Sequence, residues 1–204
     1  MKVAIPGASV VWILQWTRYV LVAAAVAMLG YSGFVLANGW MFQRRETRQL
    51  ELSASPEQVQ FENASPAAAT PAIAADGLIG RIAIPRLGIS VIVMEGVGTR
   101  TLRRAVGHIP GTALPGQPGN IGIAGHRDTY FSPLKNIRRD DIITVTTKTR
   151  VYQYLVVSIK VVSPTDVAVL KPNGTEVLTL VTCFPFYFVG PAPDRFIVRA
   201  ERVI

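Results

Sequence analysis

From residue 79 to the C-terminus the chain is a succession of short β-branched runs cut by Gly, Pro, Asn and Asp, and that rhythm restricts this part to an all-β architecture. The runs fall at residues 80–84, 89–94, 120–124, 142–147, 151–162, 177–182 and 196–200. Only two short helical stretches fit between them, at 99–105 and 133–137. Many short strands with turn signals between them specify a barrel or a sandwich. Closure into a barrel also removes the open edges that a sheet must otherwise protect. A chain of 204 residues that is 50% hydrophobic holds one such domain with additional segments to spare.

The additional segments are N-terminal. Residues 19–37 carry no charge, and the apolar character continues weakly to Phe42. This matches one membrane-spanning helix, which needs about 20 apolar residues. A cleaved secretory signal is the other reading, with Val35-Leu36-Ala37 as the cleavage site. The apolar core of such a signal is shorter, about 7–15 residues, so a retained anchor over 19–43 is expected behind a short N-terminus, 1–18. Lys2 and Arg18 precede the span and Arg44, Arg45 and Arg48 follow it, so flanking charge does not orient it. Residues 46–75 then shift to Ala, Ser, Pro, Gln and Glu, a composition that buries too little apolar surface to fold alone. We expect a stalk over 44–77, with a few helical turns within 46–61 as the alternative, and one folded domain over 78–204.

Charge is uneven along the chain. Residues 1–78 hold 5 Lys/Arg against 5 Asp/Glu and residues 79–204 hold 16 against 8, so the whole net charge of +8 sits on the folded domain. Such an excess suits an anionic membrane or an acidic wall polymer, with a solvated face as the plainer reading of the clusters at Arg100, Arg103 and Arg104 and at Arg138 and Arg139. Basic residues are not interleaved with aromatics as base stacking requires, which argues against nucleic acid as a partner.

Chemistry centres on one residue. Cys183 is the only cysteine, so no intramolecular disulfide forms, and a lone cysteine in a chain that looks exported is a candidate reactive thiol. Taken alone it reads as a small buried hydrophobe at a strand end. A thiol of ordinary pKa is mostly protonated at pH 7 and needs a proton partner to act as a nucleophile. Of the two histidines, His108 falls in a Pro/Gly-rich stretch that reads as a turn, whereas His126 follows a strand-like run, where side chains converge. Gly122 and Gly125 leave room there for another backbone or a peptide. Arg195 opens the last strand and offers a planar donor for an oxyanion, with an ion pair to Asp194 or Asp128 as its plainer role. One Cys and two separated His lack metal-ligand spacing, so neither a metal nor another cofactor is expected.

Together these features resemble a known family. Thr179-Leu180-Val181-Thr182-Cys183 matches the TLxTC motif of sortases, the cysteine transpeptidases of bacterial cell surfaces. Gly119-Asn120-Ile121-Gly122-Ile123-Ala124-Gly125-His126-Arg127-Asp128-Thr129-Tyr130-Phe131 resembles the family's histidine segment, and Asp194-Arg195-Phe196-Ile197-Val198 its arginine strand. The stretch from Phe184 to Pro193 is most similar to class D sortases.

The resemblance implies a closed eight-stranded β-barrel with Cys183 as nucleophile, His126 as acid and base, and Arg195 as oxyanion or substrate stabiliser. It further implies substrate contacts at Thr182 and along 164–175. The implied partners are precursors bearing a C-terminal LPxTG-like signal, cleaved between Thr and Gly, and an amine acceptor such as lipid II or a peptidoglycan stem peptide. The implied location is the cytoplasmic membrane, N-terminus inside and domain outside. Two rival readings are a Cys/His cell-wall hydrolase or L,D-transpeptidase-like cross-linker, and a non-catalytic membrane-anchored β-barrel binding module.

Overall fold

The structure is a computed structural model and describes residues 7–53, 77–172, 174–188 and 190–203. The chain divides into two compact units, with the division in sequence between Met41 and Phe42. Helix α1 (Gly7–Ser53) contains the window Leu14–Phe34, which is long and apolar enough to cross a membrane. Residues 44–53, read from composition as the start of a stalk, continue α1, and the rest of the expected stalk up to residue 76 lies outside the described residues.

The second unit contains a closed barrel of eight strands. They are β1 (Leu78–Ile84), β2 (Ile89–Glu95), β3 (Val106–His108), β4 (Gly119–Ala124), β5 (Ile142–Thr147), β6 (Val151–Val162), β7 (Glu176–Phe184) and β8 (Asp194–Arg202). Around the barrel they run β1-β2-β3-β4-β7-β8-β6-β5. Most neighbours are antiparallel, but β2 pairs with β3 and β4 pairs with β7 in parallel. A parallel pair needs a crossover. Between β2 and β3 it runs through the one-turn helix α2 (Thr99–Leu102), and between β4 and β7 it is the β5–β6 hairpin with its flanking loops.

The interior follows from the period of two. Ile121 and Ile123 on β4, Leu178 and Leu180 on β7, and Val198 and Ala200 on β8 all lie in one buried core. A fully buried aliphatic side chain of this kind contributes about 1.5–3 kcal/mol. The alternate residues of the same strands therefore face outward. At the start of β7 the polar requirements of the barrel end are met by Glu176. It accepts from the Gly116 N–H at 2.9 Å and from the Tyr154 hydroxyl. Burial, reinforced by the Glu176 charge, holds the Tyr154 phenol far above its ordinary pKa, so it stays a donor.

His108 departs from its expected place. It belongs to strand β3, not to a turn, and is 3% exposed. Its Nδ1 lies 2.7 Å from Glu95 Oε2, and its Nε2 lies 2.9 Å from both Ala113 O and Thr112 Oγ1. Thr112 in turn donates to Ile109 O and accepts from the Gly122 N–H. The ring thus ties β2 to the β3–β4 connection, and its two nitrogens are occupied.

The connection from β4 to β5 is tied down by a second buried group. Asp141 is 7% exposed, and its carboxylate accepts from Arg86 and, at 2.8 Å, from the Arg138 N–H. Arg86 also donates to Asn136 O at 2.7 Å, fastening the short 3-10 turn Ser132–Asn136. The Arg86 hydrogen bond holds the Asp141 carboxyl below its ordinary pKa against the opposing effect of burial. A depressed carboxyl stabilises the fold fully above its unfolded pKa, about 3.9, and loses that contribution as pH falls through the lower folded value. Asp141→Asn should therefore melt below wild type at pH 7, with the difference closing in acid below about pH 4. Thermal melts across that range check this, and a difference independent of pH would contradict it.

Candidate active site

At one end of the barrel the backbone register brings three positions together. Cys183, near the end of β7, is directly opposite Arg195 at the start of β8. Directly opposed residues on one face hold their Cβ atoms about 4.5–5.5 Å apart. On the other side of β7 lies β4, in register with Ala124 beside Val181. The pairing runs past the end of β4, because the Gly125 N–H donates to Val181 O at 3.1 Å. The Thr182 hydroxyl donates back to Gly125 O at 2.8 Å. These two bonds bring the His126 backbone abreast of Cys183. His126, Cys183 and Arg195 are all partly buried, sheltered yet open to a reactant.

Each neighbour has an identifiable task. Thr182, expected at a substrate contact, is 2% exposed, and its hydroxyl is engaged by Gly125 O. Arg195 donates through Nη1 to Asp194 O at 2.9 Å and to Ala192 O at 3.3 Å, which restrains its guanidinium. Neither expected carboxylate partner accounts for these contacts. The space beside the glycines is taken by side chains of this chain. A Cβ on Gly122 would stand 3.1 Å from both Ile109 and Leu170, and one on Gly125 would stand 2.7 Å from the Phe131 ring. Asn120 donates to Val169 O at 2.9 Å and accepts from Thr179 at 2.7 Å, which fastens the 3-10 turn Val167–Leu170 against β4 and β7.

Arg127 was missed as a site residue, although it stands inside the quoted histidine segment. Its guanidinium donates to Pro185 O at 2.8 Å, Phe188 O at 2.6 Å and Gly190 O at 3.2 Å. All three acceptors are backbone carbonyls, which leave no mark in the pattern of side chains. The loop base is aromatic, with Phe196 packed on Phe184 at 6.2 Å and on Phe186 at 5.1 Å between ring centroids.

A thiol on β7, a guanidinium on β8 and an imidazole just past the end of β4 suit acyl transfer through a covalent intermediate. The sequence model of the sortase domain matches residues 82–203 of this chain. The chain belongs to the sortase family. It is 28% identical over 189 residues to Sortase D of Bacillus subtilis (strain 168), covering 90% of this chain and 96% of that protein. Among solved structures it is similar to a Sortase D5 transpeptidase of Clostridium perfringens, with a TM-score of 0.57 and 34% identity over 62% of this chain and 79% of that one. It is also similar to a Clostridium perfringens sortase C solved with the C-terminal cell wall sorting motif, with a TM-score of 0.58 and 28% identity over 65% of this chain and 74% of that one. Sortases are cysteine transpeptidases, and the eight-stranded barrel is the fold these structures share. The likeness to class D expected from residues 184–193 is met among these relatives.

The geometry around Gly125 generates a test. An alanine there pushes either on Phe131 or on the backbone that joins His126 to β7. Gly125→Ala should lower kcat/KM for peptide cleavage at least tenfold, or about 1.4 kcal/mol, while the Cys183 thiol stays titratable with a thiol reagent. Cleavage at the wild-type rate would show that the Phe131 contact does not govern this segment.

Proposed function

We propose that this sortase cleaves an LPxTG-like sorting signal between Thr and Gly and transfers the acyl group to an amine of the cell envelope. The observation that best supports the reading is the register, which pairs Cys183 with Arg195 on β8 and runs the backbone leading into His126 along the other side of β7. Cys183 loses its proton to His126 and attacks the Thr carbonyl carbon. The oxyanion forms within reach of the Arg195 guanidinium, a fixed positive donor for developing charge. The C–N bond to Gly then breaks, and His126 returns its proton to the leaving amine, leaving a thioester on Cys183. An incoming amine attacks the thioester, His126 takes its proton, and the thiolate departs and is reprotonated. Lipid II and a peptidoglycan stem peptide both supply such an amine.

The sorting motif bound to the sortase C of Clostridium perfringens supports the choice of substrate class. The apolar window in α1 supports a membrane anchor, and the excess of basic residues after residue 78 fits an anionic surface outside it. On this reading the N-terminus is cytoplasmic and the barrel is extracytoplasmic, where precursor and acceptor meet.

Kinetics with a panel of LPxTG peptides and amines tests the assignments. Cys183→Ala should abolish both cleavage and transfer. His126→Ala should slow acylation by about 10²–10⁴-fold. Arg195→Lys keeps the charge but loses the planar fork, and should remain impaired by about 10²-fold. Turnover retained by Cys183→Ala would defeat the mechanism. Cleavage by wild type that no amine diverts from hydrolysis would favour the cell-wall hydrolase instead.

A further inference from the structure

We infer that Arg127 is a positioning residue that holds the loop after Cys183 in the shape a substrate peptide binds against, an inference that rests on the sortase reading of Cys183 and His126. The loop of residues 185–193 joins the end of β7 to the start of β8, so it connects Cys183 to Arg195 directly. Its ends are anchored by strand pairing and by the Phe184, Phe186 and Phe196 rings. Its middle has neither strand pairing nor those rings: Tyr187 is 85% exposed, with Lys135 Nζ 5.0 Å from its ring centroid, and Phe188 is 44% exposed.

Three carbonyls of the loop, on Pro185, Phe188 and Gly190, converge on the one guanidinium of Arg127. The same group lies 5.8 Å from the centroid of the Phe188 ring. A planar fork with several donors in fixed directions is suited to gathering carbonyls from separate residues, whereas a lysine ammonium on a flexible stem is a single point of charge. Arg127 directly follows His126, and Gly125 on the other side accepts the Thr182 hydroxyl. One short segment thereby fastens both the strand that carries Cys183 and the loop that leaves it.

The consequence concerns binding more than chemistry. A peptide whose carbonyl reaches Cys183 and Arg195 lies next to this loop. When the loop is already ordered, binding does not bear the entropy of ordering it. Without Arg127 that cost falls on complex formation and appears in KM. The bonds broken and made at Cys183 do not involve the guanidinium, so kcat changes less.

The test uses the full-length protein in detergent and the LPxTG peptide that wild type cleaves fastest, with rates normalised to the titrated Cys183 thiol. Arg127→Ala should raise KM about tenfold and leave kcat within about threefold, and Arg127→Lys should fall between it and wild type. Hydrogen exchange at the amides of residues 185–193 should be faster in Arg127→Ala, with the barrel strands unchanged. A KM within twofold of wild type, or a loss of activity that follows only the amount of folded protein, would overturn the inference. Wild type that cleaves no peptide in the panel would defeat the proposed LPxTG-like substrate. In that case loop exchange at the wild-type rate still overturns the role of Arg127, and faster exchange upholds its grip on the loop.

Discussion

The parallel pairing of β4 with β7 is the constraint on which the site depends. These strands are far apart in sequence, and their alignment sets Ala124 beside Val181. Two more hydrogen bonds, from the Gly125 N–H to Val181 O and from the Thr182 hydroxyl to Gly125 O, carry that alignment past the end of β4. A slip of one residue would exchange the inner and outer faces of the strand and expose Ile121 and Ile123 to water. The core therefore enforces the register, and the register brings the histidine segment to the cysteine. No direct bond among the reacting groups is needed to assemble them.

The barrel uses its two faces for different purposes. Inside, Leu178, Leu180 and Val198 fill the core, and outside, the alternate positions on the same strands hold Cys183 and Arg195. Loops then wall the outer face. The turn Val167–Leu170 is fastened through Asn120, and the loop between β7 and β8 is fastened through Arg127. Buried polar groups away from the site serve the frame: His108 joins β2 to the turn before β4, and Asp141 with Arg86 secures the segment that leads from His126 into β5.

Much of this was legible in the sequence, for physical reasons. Strands such as residues 177–182 and 196–200 announce themselves through β-branched residues bounded by turn formers, and the TLxTC run marks the cysteine. Strand β3 was not legible, because three residues between the turn at Arg103-Arg104-Ala105 and Pro110 show no alternation to read. His108 was misplaced for the same reason, and its partner Glu95 lies on another strand. The glycines at 122 and 125 correctly signalled close approach, but the approaching atoms belong to Ile109, Leu170 and Phe131. Arg127 was invisible as a loop anchor because its three acceptors are backbone carbonyls, which carry no side-chain signal.

The claim that everything above converges on is that Cys183 carries the substrate acyl group as a thioester. Rapid-quench intact-mass measurement of the full-length protein with an LPxTG peptide tests it directly. The expected result is a transient mass gain equal to the acyl fragment ending in Thr, mapped to Cys183 and discharged by an added amine with formation of the amide product. Peptide cleavage with no covalent adduct at any time, or an adduct on a residue other than Cys183, would contradict it.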